Sequence, residues 1–487
     1  MTDNNLNNSI ARGAIWMVAL KFSIKGLSII STMILARLLT PDDFGLMALA
    51  SAVYAMVNII REFGFDTALI QNQNANRGHY DTAWTMEIIF AITAASIIVV
   101  ASDYIANYYS DARLSDVLKM MAVIILVNGF KNIGVVEFRK KLTFNKEYLY
   151  QVLIKISGFV VTIPVAWYTK SYWALLLGML SGNLTSVLLS YIMQKYRPRF
   201  SLVAVKDLFG FSVWLFINNI LFFINNYSQN FILGKLVGSK GLGIYSVSNE
   251  IATITTTEMI APINRAAYPG YSKISHDLEE LKKTYLNTLS FIALIAFSSA
   301  FGICAIAPFL VPIMLGDKWS DAIFIIQLIS LASAFDALNT NSSYIYLALA
   351  KQQITTKLLC LRVFIFLPLL IFLAKKYGVN GAVFSLLISS LIMFPISVLR
   401  LNKLVGFRFN CVISSIYRPL LSGSFMCYVV YQYTLHIKNY LLIKYDFAYL
   451  ILGIVLGVIV FSCSLIFLWL LGGRKPGPER YIITKFL

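Results

Sequence analysis

Ile34-Leu35-Ala36-Arg37-Leu38-Leu39, running on to Phe44-Gly45-Leu46, returns later in the chain as Ile232-Leu233-Gly234-Lys235-Leu236-Val237, running on to Leu242-Gly243-Ile244. One shift of 198 residues carries Ile34 onto Ile232, Gly45 onto Gly243 and Trp16 onto Trp214. The surrounding sequence is apolar almost end to end. Two similar halves in such a chain are the usual build of a membrane transporter, with its site where the halves meet.

Composition agrees. Of 487 residues, 58% are hydrophobic and 13% charged, with a mean hydropathy of +0.72. A soluble protein could not hide that much apolar surface, so helices of about 20 residues spanning a bilayer are expected. The residues before Ser9 are polar and no small-residue cleavage site follows the first apolar run, so that run is read as a retained span. The net charge of +18 lies mostly in the connections between spans, where it orients the chain; no nucleic acid is expected. The cysteines Cys304, Cys360, Cys411, Cys427 and Cys463 are scattered through apolar stretches without a CxxC pair, which argues against metal or disulfide roles.

Spans are read at 11–36, 44–66, 81–103, 116–136, 148–168 and 173–194, then at 211–234, 241–264, 284–309, 322–347, 358–375 and 381–402, with two more at 419–437 and 448–471. The expectation is an all-α integral membrane protein of about fourteen transmembrane helices. Its parts are a first lobe over 1–194, a linker over 195–210, a second lobe over 211–402, and an extension over 403–487. An even number of spans puts both termini on one side. The connections on that side carry Arg139, Lys140, Lys141, Lys146, Lys195, Arg197, Arg199, Arg265, Lys273, Lys282 and Lys283, so both termini are expected in the cytoplasm. Within that side, 137–147 reads as a basic loop. The run Asp277-Leu278-Glu279-Glu280-Leu281-Lys282-Lys283, acids first and bases last, reads as a short helix on the membrane face. Pro164 and Pro368 fall inside spans five and eleven and are candidate hinges.

Charges inside spans single out a candidate site. Lys21 and Lys25, four residues apart, share one helix face. They lie about 10–14 residues from the cytoplasmic end of their span, roughly 15–20 Å deep. A lysine at that depth needs a wet cavity or an acidic partner, and two together suit an anionic ligand such as a phosphate. Arg61 and Lys155 are further candidates for the same cavity, whereas Arg362 reads as an interfacial residue near a span end. The second half is polar in another way, with Asn218, Asn225, Asn249 and Asn339 among its candidates for binding sugar hydroxyls. Asparagines also knit membrane helices together. Glu250 and Asp336 are deep acids, suited either to proton or sodium coupling or to serving as counter-ions of Lys21 and Lys25. Three histidines, His79, His276 and His436, fall in connections or near span ends. No HExxH, Walker A loop or nucleophile elbow is present. Neither an enzyme nor a cofactor nor a metal is expected.

The segment Leu35-Ala36-Arg37-Leu38-Leu39-Thr40-Pro41-Asp42-Asp43-Phe44-Gly45-Leu46 resembles the first-loop motif of polysaccharide-synthesis transporters. Gly241-Leu242-Gly243-Ile244-Tyr245-Ser246 resembles the matching segment of their second half. The chain is similar to Wzx-type exporters of the MOP superfamily, in particular the colanic-acid-exporter branch of lipopolysaccharide and exopolysaccharide biosynthesis. That resemblance implies two six-helix lobes in a V plus two C-terminal helices. It also implies flipping of an undecaprenyl-diphosphate-linked oligosaccharide across the bacterial inner membrane by alternating access. Lys21 and Lys25 would then meet the diphosphate and the asparagines the sugars. The expected partners are the lipid-linked oligosaccharide, membrane lipids, a coupling proton or sodium ion and a polymerase, with the chain itself a monomer. The family's cavities are cationic in both lobes, and the second half here offers few deep cations. Two other readings stand beside this one. A multidrug or cation antiporter of the same superfamily would favour a deep acid without paired lysines. A membrane-embedded polymerase would carry a large external loop, and none is read here.

Overall fold

The computed structural model describes residues 3–61, 65–72, 74–205, 213–440 and 447–473, and every regular element among them is helical. In chain order the α-helices are α1 (Asp3–Leu38), α2 (Pro41–Arg61), α3 (Phe65–Gln71), α4 (Arg77–Tyr109), α5 (Arg113–Gly129), α6 (Glu137–Lys140), α7 (Phe144–Thr169), α8 (Trp173–Met193), α9 (Val213–Lys273), α10 (Leu278–Met314), α11 (Ala322–Ala348), α12 (Gln352–Val405), α13 (Phe409–Tyr440) and α14 (Phe447–Leu471). Short 3-10 turns cover Ile133–Val136 and Asp317–Trp319. Among the described residues, eight helices are long and apolar enough to cross a membrane, or nine if one bent pair counts as a span. The chain is therefore a multi-pass, all-α membrane protein. Two of its helices are too long for one crossing and break at glycine: α9 at Gly238 (φ 73°) and α12 at Gly378 (φ 60°). These left-handed positions reverse the chain between two spans without a side-chain clash. Apart from the second and fourth, each span read in the sequence falls on one helix or on one side of such a break.

The chain divides into two compact units, 1–243 and 244–487. In the first, α4 packs on α5, α7 on α8 and on α1, and α2 on α4 and α5. The motif around residue 40 explains itself here. Thr40 precedes α2, Pro41 occupies its first turn, and Asp43 Oδ2 accepts from Thr40 N at 2.9 Å and Thr40 Oγ1 at 2.7 Å. Thr40 is thus a cap, the proline sits where its missing N–H costs nothing, and Asp43 supplies the returning bond. In the second unit, α10 is central, packing on α11, α13 and α14, while α11 also packs on α12. Its core is aromatic: Phe297 meets Phe335 edge-on at 5.6 Å, and Tyr285 stacks on Phe407 at 5.6 Å. The buried phenols are satisfied, Tyr285 by Ser342 Oγ at 3.1 Å and Tyr346 by the Ser397 carbonyl at 3.1 Å, as burial in an apolar core requires.

Several local expectations are corrected. The fourth span ends at Gly129, and the segment Ile133–Lys140 is bent 72° away from it. Asn132 causes the turn: fully buried, it accepts from Gly134 N at 2.9 Å and donates to the Tyr196 carbonyl at 2.7 Å. The basic loop 137–147 is mostly helix, and two of its bases are paired, Arg139 with Glu147 at 2.7 Å and Lys141 with Glu137 at 2.6 Å. No separate surface helix occupies 277–283. Asp277 Oδ1 caps α10 by accepting from Glu279 N and Glu280 N, so the acids form the first turn of the ninth span. α7 runs through Pro164 and α12 through Pro368. The described cysteines are free.

Candidate functional site

In the first unit the seam between α1 and α7 fixes where the lysines stand. Trp16 meets Tyr148 with ring centroids 5.1 Å apart, Ser23 Oγ lies 3.2 Å from Tyr148 Oη, and Leu20 is buried. Further toward the N-terminus, Gly13 abuts the Phe144 ring. Contacts advance together along both helices, so α1 and α7 run parallel here. At about 100° per residue, Lys21 and Lys25 lie within about 40° of each other and roughly 160° from Ser23. They therefore share a face of α1 away from the seam. Both are partly exposed, and only 11% of the most apolar window of α1 is buried. Lys155 lies two turns beyond Tyr148 on the same face of α7. The parallel register brings it approximately level with Lys25. Lys155 therefore lies on the seam side of α7, and Lys21 and Lys25 lie on the face of α1 away from that seam, at similar heights along the two helices. Arg61 closes α2, and its side chain lies outside the described residues, as does that of Asn218.

The asparagines in the first half of α9 have mainly local partners. Asn225 Nδ2 donates to Asn226 Oδ1 at 3.2 Å, and Asn230 Nδ2 donates to the Ala48 carbonyl at 3.2 Å, tying α9 to α2. That tie continues past the break. Gly45 and Gly243, equivalent in the repeat, face each other in reciprocal contacts. A Cβ on Gly45 would sit 1.7 Å from Ser239 O, and a Cβ on Gly243 would sit 1.8 Å from Pro41 O. Ser239 Oγ also donates to Asp111 Oδ2 at 3.0 Å, and Asp111 holds Arg113 at 2.7 Å. The Arg113 guanidinium keeps the Asp111 carboxyl below the usual carboxylate range, against the opposing effect of burial.

The second unit holds a separate polar cluster. Asp336, midway along α11, accepts from Arg362 Nη2 on α12 at 2.7 Å, and the two side chains are 29% and 18% exposed. Tyr245, buried in the second half of α9, lies within electrostatic range of Arg362. Asn339 sits one turn along from Asp336. Asp336 Oδ1, Arg362 Nε and both polar atoms of Asn339 are buried without a hydrogen-bond partner. Orphans gathered in one place mark a position that takes water, an ion or the polar groups of a substrate. Thr256 with Ser333 at 3.1 Å, Asn264 with Thr340 at 2.7 Å and Tyr271 with Asn341 at 2.9 Å knit α9 to α11, although Asn264 Oδ1 and Asn341 Nδ2 are themselves buried without a partner. Asn249 and Glu250 are partly exposed on α9 in the same unit.

Within the second unit, Asp336 pairs with Arg362 on the neighbouring helix. α12 begins at Gln352, earlier than the span read from 358, which sets Arg362 nearly three turns inside that helix. The polar run Gln352-Gln353 through Thr356-Lys357 conceals that earlier start. Tyr245 carried no signal of its own, because a tyrosine among apolar residues reads as core.

The all-helical scaffold of spans is a membrane-transporter fold. It superimposes with a TM-score of 0.73 on the lipid II flippase MurJ in an inward closed conformation, at 14% identity, covering 94% of this chain and 99% of that one. A family model described as polysaccharide biosynthesis protein matches residues 34–324, and the chain belongs to that family. Among curated relatives it is 23% identical over 420 residues to the lipopolysaccharide biosynthesis protein WzxC of Escherichia coli, covering 85% of each chain. It is 22% identical over 334 residues to the succinoglycan biosynthesis transport protein ExoT of Rhizobium meliloti, covering 68% of each.

Proposed function

We propose that this chain is a flippase, not an enzyme. It moves an undecaprenyl-diphosphate-linked oligosaccharide from the cytoplasmic to the periplasmic leaflet of the bacterial inner membrane, for assembly of a surface polysaccharide. Family membership and the names of the relatives support the class of substrate. The observation that supports the reading is the set of bases Lys21, Lys25 and Lys155, at similar heights along the adjoining helices α1 and α7. Cations within spans are costly in lipid and are repaid by a multiply charged anion such as a diphosphate. Arg362 supplies the cation that the second half lacked on sequence grounds, with Asp336 holding it until an anion arrives. The asparagines, Asn339 foremost with its unpaired amide, suit sugar hydroxyls. Movement is by alternating access of two halves, coupled to a proton or sodium ion through Glu250 or Asp336. Both termini lie in the cytoplasm, and the chain works as a monomer beside a polymerase.

The test is Lys21→Ala with Lys25→Ala in the producing host. The double variant should reach the membrane at wild-type level yet abolish glycan export, with lipid-linked repeat units accumulating. Normal polymer output from that variant would overturn the diphosphate reading.

A further inference from the structure

A cleft of about 520 Å³ opens in the second unit where the turn after α10 meets the break in α12. Its size falls within the range of small-molecule sites, about 300–1,000 Å³. Ser320, Asp321 and Gln327 line it from the α11 side, and Tyr377 and Asn380 from the two sides of Gly378. Phe324 completes the lining, edge-on to Phe384 at 6.0 Å. Phe324 and Tyr377 are 41% and 52% exposed, so their rings are within reach of a molecule in the cleft. Asp321 and Asn380 have no hydrogen-bond partner among the described residues. Gln327 spends its amide N–H on the Cys304 carbonyl at 3.0 Å, which leaves its oxygen as an acceptor. Ser320 Oγ donates to the Asp317 carbonyl at 2.9 Å and keeps its lone pairs.

This is an acceptor-rich set with an accessible aromatic face at Phe324, and the Lys376 ammonium lies 5.1 Å over the Tyr377 ring. Carboxylate, carboxamide and hydroxyl oxygens accept from hydroxyl donors, and a ring face covers the C–H face of a pyranose. We propose that this cleft is a carbohydrate-binding subsite that takes sugar residues of the translocated glycan on the face opposite the chain termini. Its sidedness and its ligand rest on the flippase reading above.

The experiment replaces Phe324 with p-benzoylphenylalanine in the producing host, grown with radiolabelled glucose as the probe, and irradiates whole cells. The expected result is a labelled, glycosidase-sensitive adduct, reduced at least tenfold by Asp321→Ala with Tyr377→Ala in the same chain. Both substituted side chains are exposed, and expression level is checked beside the adduct. An adduct carrying phospholipid only, or no adduct in a strain that exports polymer, overturns the subsite. Deleting the gene in parallel separates the two ideas. If polymer output survives deletion, the flippase reading fails, while a sugar adduct at Phe324 still sustains the cleft.

Discussion

Replacing Gly45 or Gly243 by alanine probes the contact between the two repeat segments. A Cβ at Gly45 must move from 1.7 Å to at least 3.0 Å from Ser239 O, and one at Gly243 must make a similar retreat from Pro41 O. Both obstacles are backbone carbonyls, which cannot rotate away as a side chain would. Overpacking of this kind costs about 1–3 kcal/mol, here toward the upper end. Alanine returns about 0.5–1 kcal/mol through its better helix propensity, leaving a net loss of about 1–2 kcal/mol for each single variant. The contacts are reciprocal, so the separation forced by one alanine clears room for the other. The double variant should therefore be little worse than either single one, with a coupling of about 1–2 kcal/mol in a double-mutant cycle. The assay is the thermal midpoint of purified protein in detergent, followed by size-exclusion fluorescence. Midpoint losses that simply add in the double variant, or single variants as stable as wild type, would refute the reciprocal contact.

Other outcomes follow from the ion pairs and the connecting segments. Arg362→Ala leaves the Asp336 carboxylate without its partner and should cost about 2–4 kcal/mol, whereas Asp336→Ala with Arg362→Ala should be milder; monodisperse yield ranks the variants. The folded-state titration of Asp111 is depressed, so its stabilisation is present above the ordinary aspartate value of about 3.9 and is lost as pH falls through the lower folded value. Between pH 5 and pH 3 the wild-type midpoint should fall further than that of Asp111→Asn, by less than about 1 kcal/mol, because the Arg113 partner is exposed. The segment after α8 is held to α4 through Asp81, which accepts from Tyr196 Oη and from Arg199 N at 2.8 Å. Asp81→Ala should loosen the segment so that trypsin cleaves after Lys195 and Arg199 within minutes in detergent, with cleavage read on a gel against an intact wild-type control.

The helices were legible because lipid permits only closed hydrogen-bonding, so apolar runs of span length map onto helices with little ambiguity. Places where they stop were not. Asn132 ends the fourth span through bonds to Gly134 and Tyr196, the latter 64 residues away, and no local pattern announces that. Asp277, by contrast, had a readable cap signature, but its acids and bases suited a surface helix equally well. Lys21 and Lys25 were visible because charge in an apolar run is conspicuous. Arg362 was equally charged, yet the polar start of α12 concealed how far inside that helix it stands. Its pairing with Asp336 depends on which faces of α11 and α12 meet, which sequence spacing alone does not determine. The repeat offset found in sequence has its clearest structural counterpart in Gly45 and Gly243.

Movement of the lipid-linked glycan is the central claim, and reconstitution tests it most directly. Purified protein is placed in vesicles whose two leaflets both hold undecaprenyl-diphosphate-linked oligosaccharide with a labelled sugar, and a glycosidase is added outside. The account predicts that nearly all of the label is released, against about half in protein-free vesicles or with Lys21→Ala and Lys25→Ala together. Release that stays at the protein-free level with wild-type protein, under an imposed proton or sodium gradient of either direction, would contradict it.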